Sequence, residues 1–165
     1  MGDKTLRELV YGKGAHVDPV ACVEDISVEL AARNVANYPH SIWQVVEHMN
    51  YWMDYEVHRI DGKPLSYPEH SIESFPALPN PASESHWQTA RSRFSDLLAR
   101  LASFADADNS VHERSVPPDK PSGSPTTVGA IVTQITAHNS YHVGQIAMLR
   151  RQFDAWPPQR GGDSW

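Results

Sequence analysis

The chain has 165 residues, of which 14 are basic and 20 acidic, so its formal net charge is −6. This length predicts one domain, residues 1–165, with a sizeable core. The acidic balance argues against nucleic acid as a partner, and one cysteine excludes an internal disulfide or a CxxC zinc site. No apolar run approaches the roughly 18–20 residues of a membrane span, and the N-terminal residues lack a signal-peptide pattern. We therefore expect a cytoplasmic protein with no membrane partner.

Thirteen prolines divide the chain and leave four long proline-free windows in which helices are predicted. The first helix is expected over about 18–35, because Asp18-Pro19 combines an N-cap with proline at the first helical position. The second is expected over about 41–60, since Ser41 and Gln44 have the spacing of a capping box. Gly62 then provides a helix stop.

The third and fourth windows predict helices over about 83–104 and about 126–153, and 5–11 fits one short additional helix. Strand-like alternation is nowhere sustained. Four amphipathic helices of this length predict an all-α, four-helix bundle. The two long connections, about 63–82 and 106–125, are expected to be crossover loops at the ends of that bundle.

Nine histidines are present, and three of them have the spacing of a metal site. His138 and His142 are four residues apart on the fourth helix, so both imidazoles face one point. His48 lies mid-way along the second helix, on an apolar stripe with Val45 and Trp52. Three inward-facing imidazoles that converge suggest a shared divalent cation with an open coordination position. The alternative is that each imidazole separately finds a polar partner in the core.

The pattern differs from the HExxH motif of zinc proteases. Asn139 stands where that motif has its general-base Glu, and Glu47, beside His48, points to a different helix face. A base would then have to come from the metal-bound hydroxide itself or from a loop.

Several stretches of the chain resemble the DinB/YfiT-like family of metalloenzymes. The resemblance rests on Gly12-Lys13-Gly14-Ala15-His16, on Pro39-His40-Ser41-Ile42-Trp43-Gln44-Val45-Val46-Glu47-His48, on Ala137-His138-Asn139-Ser140-Tyr141-His142-Val143-Gly144-Gln145, and on Ala155-Trp156-Pro157-Pro158 with Gly161-Gly162-Asp163-Ser164-Trp165. One His on the second helix and an HxxxH on the fourth follow the order of that family, over most of the chain.

The resemblance implies a four-helix bundle in which His48, His138 and His142 bind one divalent ion. Zinc or nickel is expected first, and iron or manganese also suits neutral imidazoles. The family's described activities imply hydrolysis of a small molecule, or a transfer that uses a low-molecular-weight thiol. Homodimers are common in the family, so a homodimer is expected here.

Other residues are weaker candidates for a role at the site. His16, in a glycine-flanked segment, either swings over the open coordination position or is a loop residue exposed to solvent. Gln134 and Gln145 lie on the face of the histidine pair, where they could orient ligands or substrate. Three aromatic residues could form a pocket wall or belong to the core: Tyr51, Trp52 and Tyr55. Gly129 and Gly144 suggest a close approach of helices, and Cys22 is expected in the core. The remaining five histidines are expected at the surface: His40, His58, His70, His86 and His112.

Two classes of function remain open at this point. The first is an enzyme in which the ion activates a bound water or thiol toward a small-molecule substrate. The second is a non-catalytic bundle, stabilised by the metal or sensing it, that works as a dimer. An open coordination position beside a pocket would favour catalysis, and a fourth protein ligand would favour a structural role.

Overall fold

The computed structural model describes residues 4–120 and 122–162 and is built from helices. The helices are α1 (Lys4–Val10), α2 (Ala21–Glu24), α3 (Val28–Ala31), α4 (Ile42–Ile60), α5 (Glu84–Ala105), α6 (Asn109–His112) and α7 (Val128–Gln152), with a 3₁₀ helix at Ser71–Ser74. Two short strands, β1 (Ser115–Val116) and β2 (Thr126–Thr127), pair antiparallel. The all-α fold class is confirmed.

The three long helices begin where the sequence predicts, because each has a hydroxyl N-cap. Ser41 and Gln44 form the predicted capping box at the start of α4, whose end at Ile60 is followed by Gly62 with a φ of 74°. Ser83 caps α5, and Thr127 caps α7 by accepting from the Ala130 amide. Short helix α1 also matches its predicted position.

The prediction of one helix over 18–35 is wrong, because this window holds two separate helical turns. Asp18 does act as a cap, accepting from the amides of Val20 and Ala21. The helix nevertheless stops at Glu24, since the Ile26 carbonyl accepts the indole N–H of buried Trp87 instead of closing a helical turn. Ser27 then caps α3 as a new start.

Helix α4 packs between α5 and α7, and apolar side chains from all three fill the core. An ion pair between buried Arg150 and partly exposed Asp25 fixes α7 to the segment after α2. Arg150, whose side chain is 3% exposed, donates to both carboxylate oxygens of Asp25 and to the carbonyls of Cys22 and Ala155. The three long helices thus form a rigid frame in which the middle of α4 faces the middle of α7.

The connection over 63–82 does not simply cross the end of the bundle. It returns along α4, where the Ser41 hydroxyl donates to the Pro79 carbonyl and the Gln44 amide donates to the Pro76 carbonyl. Buried Ser74 lies on the same return path. Among the described residues of 106–125, α6 and β1 likewise give the second connection local structure. Both connections are long, as expected, and both also carry local structure that packs against the helices.

Within the described ranges, no helix is both long enough and apolar enough to span a membrane. The last three residues of the C-terminal motif, Asp163–Trp165, lie outside those ranges.

Candidate metal centre

Three histidines from two helices meet in the interior, as the spacing predicts. His48 comes from α4, and His138 and His142 come from consecutive turns of α7. One ring nitrogen of each lies within 4.8 Å of the others. His48 and His142 are only 6% and 7% exposed, and His138 is half-buried. The cluster therefore lies at the α4–α7 contact, and its His138 side is less buried than its His48 and His142 sides.

The position of the proton on His48 follows from its neighbours. The Ser74 hydroxyl donates its single hydrogen to the Ser71 carbonyl, so its oxygen must accept from the His48 Nδ1–H at 2.8 Å. This leaves the lone pair on His48 Nε2, the nitrogen that faces the cluster. A residue of the 63–82 connection thus fixes the tautomer of a residue on α4.

His142 of α7 is held in the same tautomer as His48. The Gln145 side-chain oxygen lies 2.7 Å from His142 Nδ1 and accepts its proton. The Asn139 side-chain oxygen lies 3.4 Å from His138 Nδ1, which is longer than the contact between Gln145 and His142. The Nε2 atom of His142 is consequently left as an acceptor. Partners on the far nitrogen of each ring are typical of histidines that bind metals.

The geometry of the acceptor nitrogens fits a divalent cation. The Nε2 atoms of His48 and His138 are 3.1 Å apart. Zinc at about 2.0–2.1 Å from each of two imidazoles, in tetrahedral geometry, separates their nitrogens by about 3.3 Å. The observed separation is therefore close to the one that a shared ion requires.

Burial keeps these imidazoles neutral, which is the form that binds metal. Desolvation, together with smaller effects of the nearby rings of His142 and His138, lowers the pKa of His48 to about 3. Desolvation and His138 lower the pKa of His142 to about 4. The pKa of His138 is lowered by desolvation as well. At neutral pH, protons therefore do not compete with a cation for these nitrogens.

A cavity of about 290 Å³ opens beside two of the three histidines. His48 and His138 form one end of it, and Trp52 with Tyr67 forms an aromatic wall in which the ring centroids are 5.8 Å apart. The remaining lining residues are Glu56, Asp119, Gln134 and Ile135. A small molecule in this cavity would reach the side of the cluster that the protein leaves open.

The comparison with protein families decides the assignment of the fold. The sequence model of the DinB superfamily matches residues 19–146, which include all three histidines. The chain belongs to the DinB superfamily. Comparisons with curated proteins and with solved structures found no significant match. Family membership therefore rests on the family match, which agrees with the helical bundle described above.

The other candidate residues of this DinB domain divide between the site and the rest of the molecule. Gln145 holds His142, and Gln134 lines the cavity. His16 is not in the cluster, because its Nε2 contacts the Ser140 hydroxyl at 2.8 Å. Glu47 faces away toward Arg93, with carboxylate and guanidinium 3.9 Å apart.

The remaining candidates are mostly accounted for by packing. Trp52 does line the cavity, whereas Tyr55 is buried in the interior. Burial raises the pKa of the Cys22 thiol to about 12, so Cys22 is a core residue and not a nucleophile. Gly129 permits close packing, since a Cβ there would lie 3.3 Å from the His112 Cβ. Gly144 has no such neighbour within 4 Å.

The expectation that all five remaining histidines are surface residues is wrong for two of them. His70 and His86 are exposed, and His58 is half-exposed beside Asp54. His112 is half-buried against the Phe104 carbonyl, with its Nε2 2.9 Å from that oxygen.

His40 is half-buried too, in a stack that the sequence does not reveal. Its ring lies 3.9 Å from the ring of Phe75, and the ring of Phe75 lies 3.9 Å from that of His48. Phe75 follows Ser74, so one short segment both fixes the tautomer and packs against the face of His48. The sequence does not indicate the roles of Ser74 and Phe75, because the segment 63–82 has no helical periodicity from which the direction of its side chains could be predicted.

Proposed function

We propose that this DinB-superfamily protein is a metal-dependent enzyme acting on a small molecule. His48, His138 and His142 hold one divalent ion, with zinc or nickel preferred and iron or manganese also compatible. The observation that carries the proposal is the cavity of about 290 Å³ that adjoins His48 and His138. Among the described residues, no fourth His, Cys, Asp or Glu belongs to the cluster, which is the ligand count of a catalytic site.

The residues around the cluster have separate tasks in such an enzyme. Ser74 and Gln145 keep the protons on Nδ1 of His48 and His142, so that the Nε2 lone pairs stay directed at the ion. Trp52 and Tyr67 exclude water from one wall of the cavity and position the substrate. When bound, a divalent ion supplies a Lewis acid that lowers the pKa of a water or thiol ligand.

The nucleophile decides between two reaction classes within this proposal. With water the reaction is hydrolysis of an amide, ester or related bond. With a low-molecular-weight thiol it is transfer of a group to sulfur, for which His48 and His138 present the ion to the cavity in the same way. Activity screens of zinc- and nickel-loaded protein, run with and without added thiols, separate the two classes.

An open coordination position is testable without knowing the substrate. Cobalt-loaded protein should show a visible spectrum that changes when azide or a small thiol is added, because an external ligand enters the open position. The same spectrum without any response to either ligand would contradict catalysis and favour a closed, structural site.

We also propose that the protein is a cytoplasmic homodimer. The family resemblance supports dimerisation, and α7 carries two large apolar side chains on its outer face, with Tyr141 66% and Met148 59% exposed. The single, buried Cys22 suits a reducing compartment. Light scattering after gel filtration tests the dimer, and a monomer at micromolar concentration would contradict it.

A further inference from the structure

The cavity beside the histidine cluster is lined along two turns of α4, with imidazoles at one end of this stretch and a carboxylate at the other. Its lining on α4 runs from His48 past Trp52 to Glu56, eight residues that span about 12 Å along the helix at about 1.5 Å each. The His48 end presents ring nitrogens. The far end presents the carboxylates of Glu56 and Asp119. A ligand that fills the cavity therefore touches the cluster with one end and the carboxylates with the other.

The charge of Glu56 is already balanced inside the protein. Arg59 donates to both of its carboxylate oxygens, at 3.1 and 2.8 Å, and also to the Pro117 carbonyl. Both side chains of this pair are more than nine-tenths buried. The guanidinium of Arg59 thus has its partners within the protein. If it turned toward an anionic ligand, the buried carboxylate of Glu56 would lose its ion-pair partner, which is energetically costly.

The charge of Asp119 is not balanced in this way. Asp119 is exposed at the cavity, and within the described residues it has no ion pair or hydrogen bond. The adjacent Lys120 directs its ammonium 4.1 Å from the centroid of the Tyr67 ring. This contact shows that the aromatic wall offers a face to a cation. Lys120 is itself an exposed and flexible side chain that a ligand can displace.

The interior end of the cavity is formed by the histidine cluster, in which one ring nitrogen of each of three imidazoles lies within 4.8 Å of the others. His48 is more than nine-tenths buried, and its Nε2 lies 3.1 Å from the Nε2 of His138. The position of the histidine cluster is an observation independent of the carboxylates. It places the reacting centre at the opposite end of the cavity from Asp119 and Glu56.

We propose that the substrate is an elongated cationic small molecule. Its ammonium or guanidinium group lies between Asp119 and the ring of Tyr67, and its reacting group lies at His48 and His138. This assignment rests on the proposed function, because it identifies the substrate class of that same site. A substrate whose far end is a carboxylate or phosphate is disfavoured, since the cavity would meet it with Asp119.

The test compares ligands that differ only in the charge of their tail. In the first arm, hexylammonium, hexanol and hexanoate are titrated into metal-free protein, and two-dimensional NMR follows the indole N–H of Trp52. In the second, zinc-loaded protein is titrated by calorimetry with aminocaproic hydroxamate, heptanohydroxamate and adipic monohydroxamate. In both arms the ammonium ligand should bind about three- to tenfold more tightly than the neutral one, and the carboxylate more weakly still.

Three variants locate the effect. Asp119→Asn should remove the preference for the ammonium, and Lys120→Met should strengthen it by removing a competing cation. Asp96→Asn is the matched control, because Asp96 is an exposed carboxylate on α5 remote from this cavity. The preference should also decrease as salt is added.

The outcomes separate this inference from the proposed function. Equal or tighter binding of the carboxylate ligands, loss of their binding in Lys120→Met, or an equal effect of Asp96→Asn overturns the inference. Absence of binding by all ligands in both arms overturns it too. Failure of the protein to take up zinc overturns the proposed function, while the metal-free arm still decides the preference for the cation.

Discussion

Ser74 is the residue that determines which ring nitrogen of His48 carries the proton. Its hydroxyl has one hydrogen, and the Ser71 carbonyl accepts it, so the oxygen is left to accept from His48 Nδ1. Without Ser74, His48 could carry its proton on either nitrogen. A ring whose Nε2 carries the proton cannot bind the ion, and each such molecule reduces the apparent affinity of the site.

Ser74→Ala should weaken zinc binding by about tenfold, because partners of ligand histidines contribute at least that much to metal affinity. Competition with a chromogenic chelator measures the change. Ser71→Ala is the matched control, since it keeps the backbone carbonyl that orients Ser74 and changes only an exposed side chain. Equal affinities in the two variants would show that Ser74 does not position His48.

At this scale the sequence predicts the candidate ligands but not the residues that orient them. His138 and His142 follow from helical spacing, and His48 follows from an apolar stripe, because a helix fixes where each side chain points. Gln145 is accessible by the same reasoning. Ser74, Phe75 and Tyr67 are not, since their positions depend on how an irregular segment folds back on α4.

At the scale of elements, the contact between α7 and the segment after α2 depends on one ion pair, in which Arg150 is buried and Asp25 is partly exposed. Arg150→Leu should lower the free energy of unfolding by about 2–4 kcal/mol, because Asp25 and the carbonyls of Cys22 and Ala155 lose their donor. Urea denaturation monitored by circular dichroism measures this loss.

Arg100→Leu provides the contrast for that prediction. Arg100 pairs with Asp61 at 2.8 Å, but both side chains are more than one-third exposed. Its removal should cost less than about 1 kcal/mol, since exposed ion pairs contribute little. A similar loss of stability in both variants would show that burial of the Arg150 pair is not what makes it important.

Element boundaries are predictable from sequence where a cap and a periodic run coincide, as for α4, α5 and α7. The window over 18–35 fails because a tertiary contact competes with the local signal. The Trp87 indole takes the Ile26 carbonyl, and Trp87 lies 61 residues further along the chain. Proline-free spacing contains no information about such a partner.

For the whole molecule, the buried histidines link stability to pH. The folded-state pKa values of His48 and His142, about 3 and about 4, lie below the ordinary value of 6.5. Between these values the unfolded chain binds more protons than the folded one, so acidification favours unfolding. The metal-free protein should therefore lose stability progressively as the pH falls below about 6.5.

Thermal denaturation of metal-free protein over this pH range tests the linkage. His142→Asn should show a weaker decrease, because it removes one of the groups that must take up a proton on unfolding. The lowered pKa of Asp25 acts in a separate window, below its ordinary value of 3.8. A stability that does not change between about pH 7 and about pH 5 would contradict the burial of neutral imidazoles.

The most direct test of the central claim is the metal content of protein purified without an affinity tag. Elemental analysis should find about one divalent ion per chain in the wild type, as expected for three converging imidazoles. His86→Ala, which changes an exposed histidine on α5, should keep that ion, and His138→Ala should lose it. A metal content that is unchanged in His138→Ala would contradict the assignment of this cluster as the metal centre.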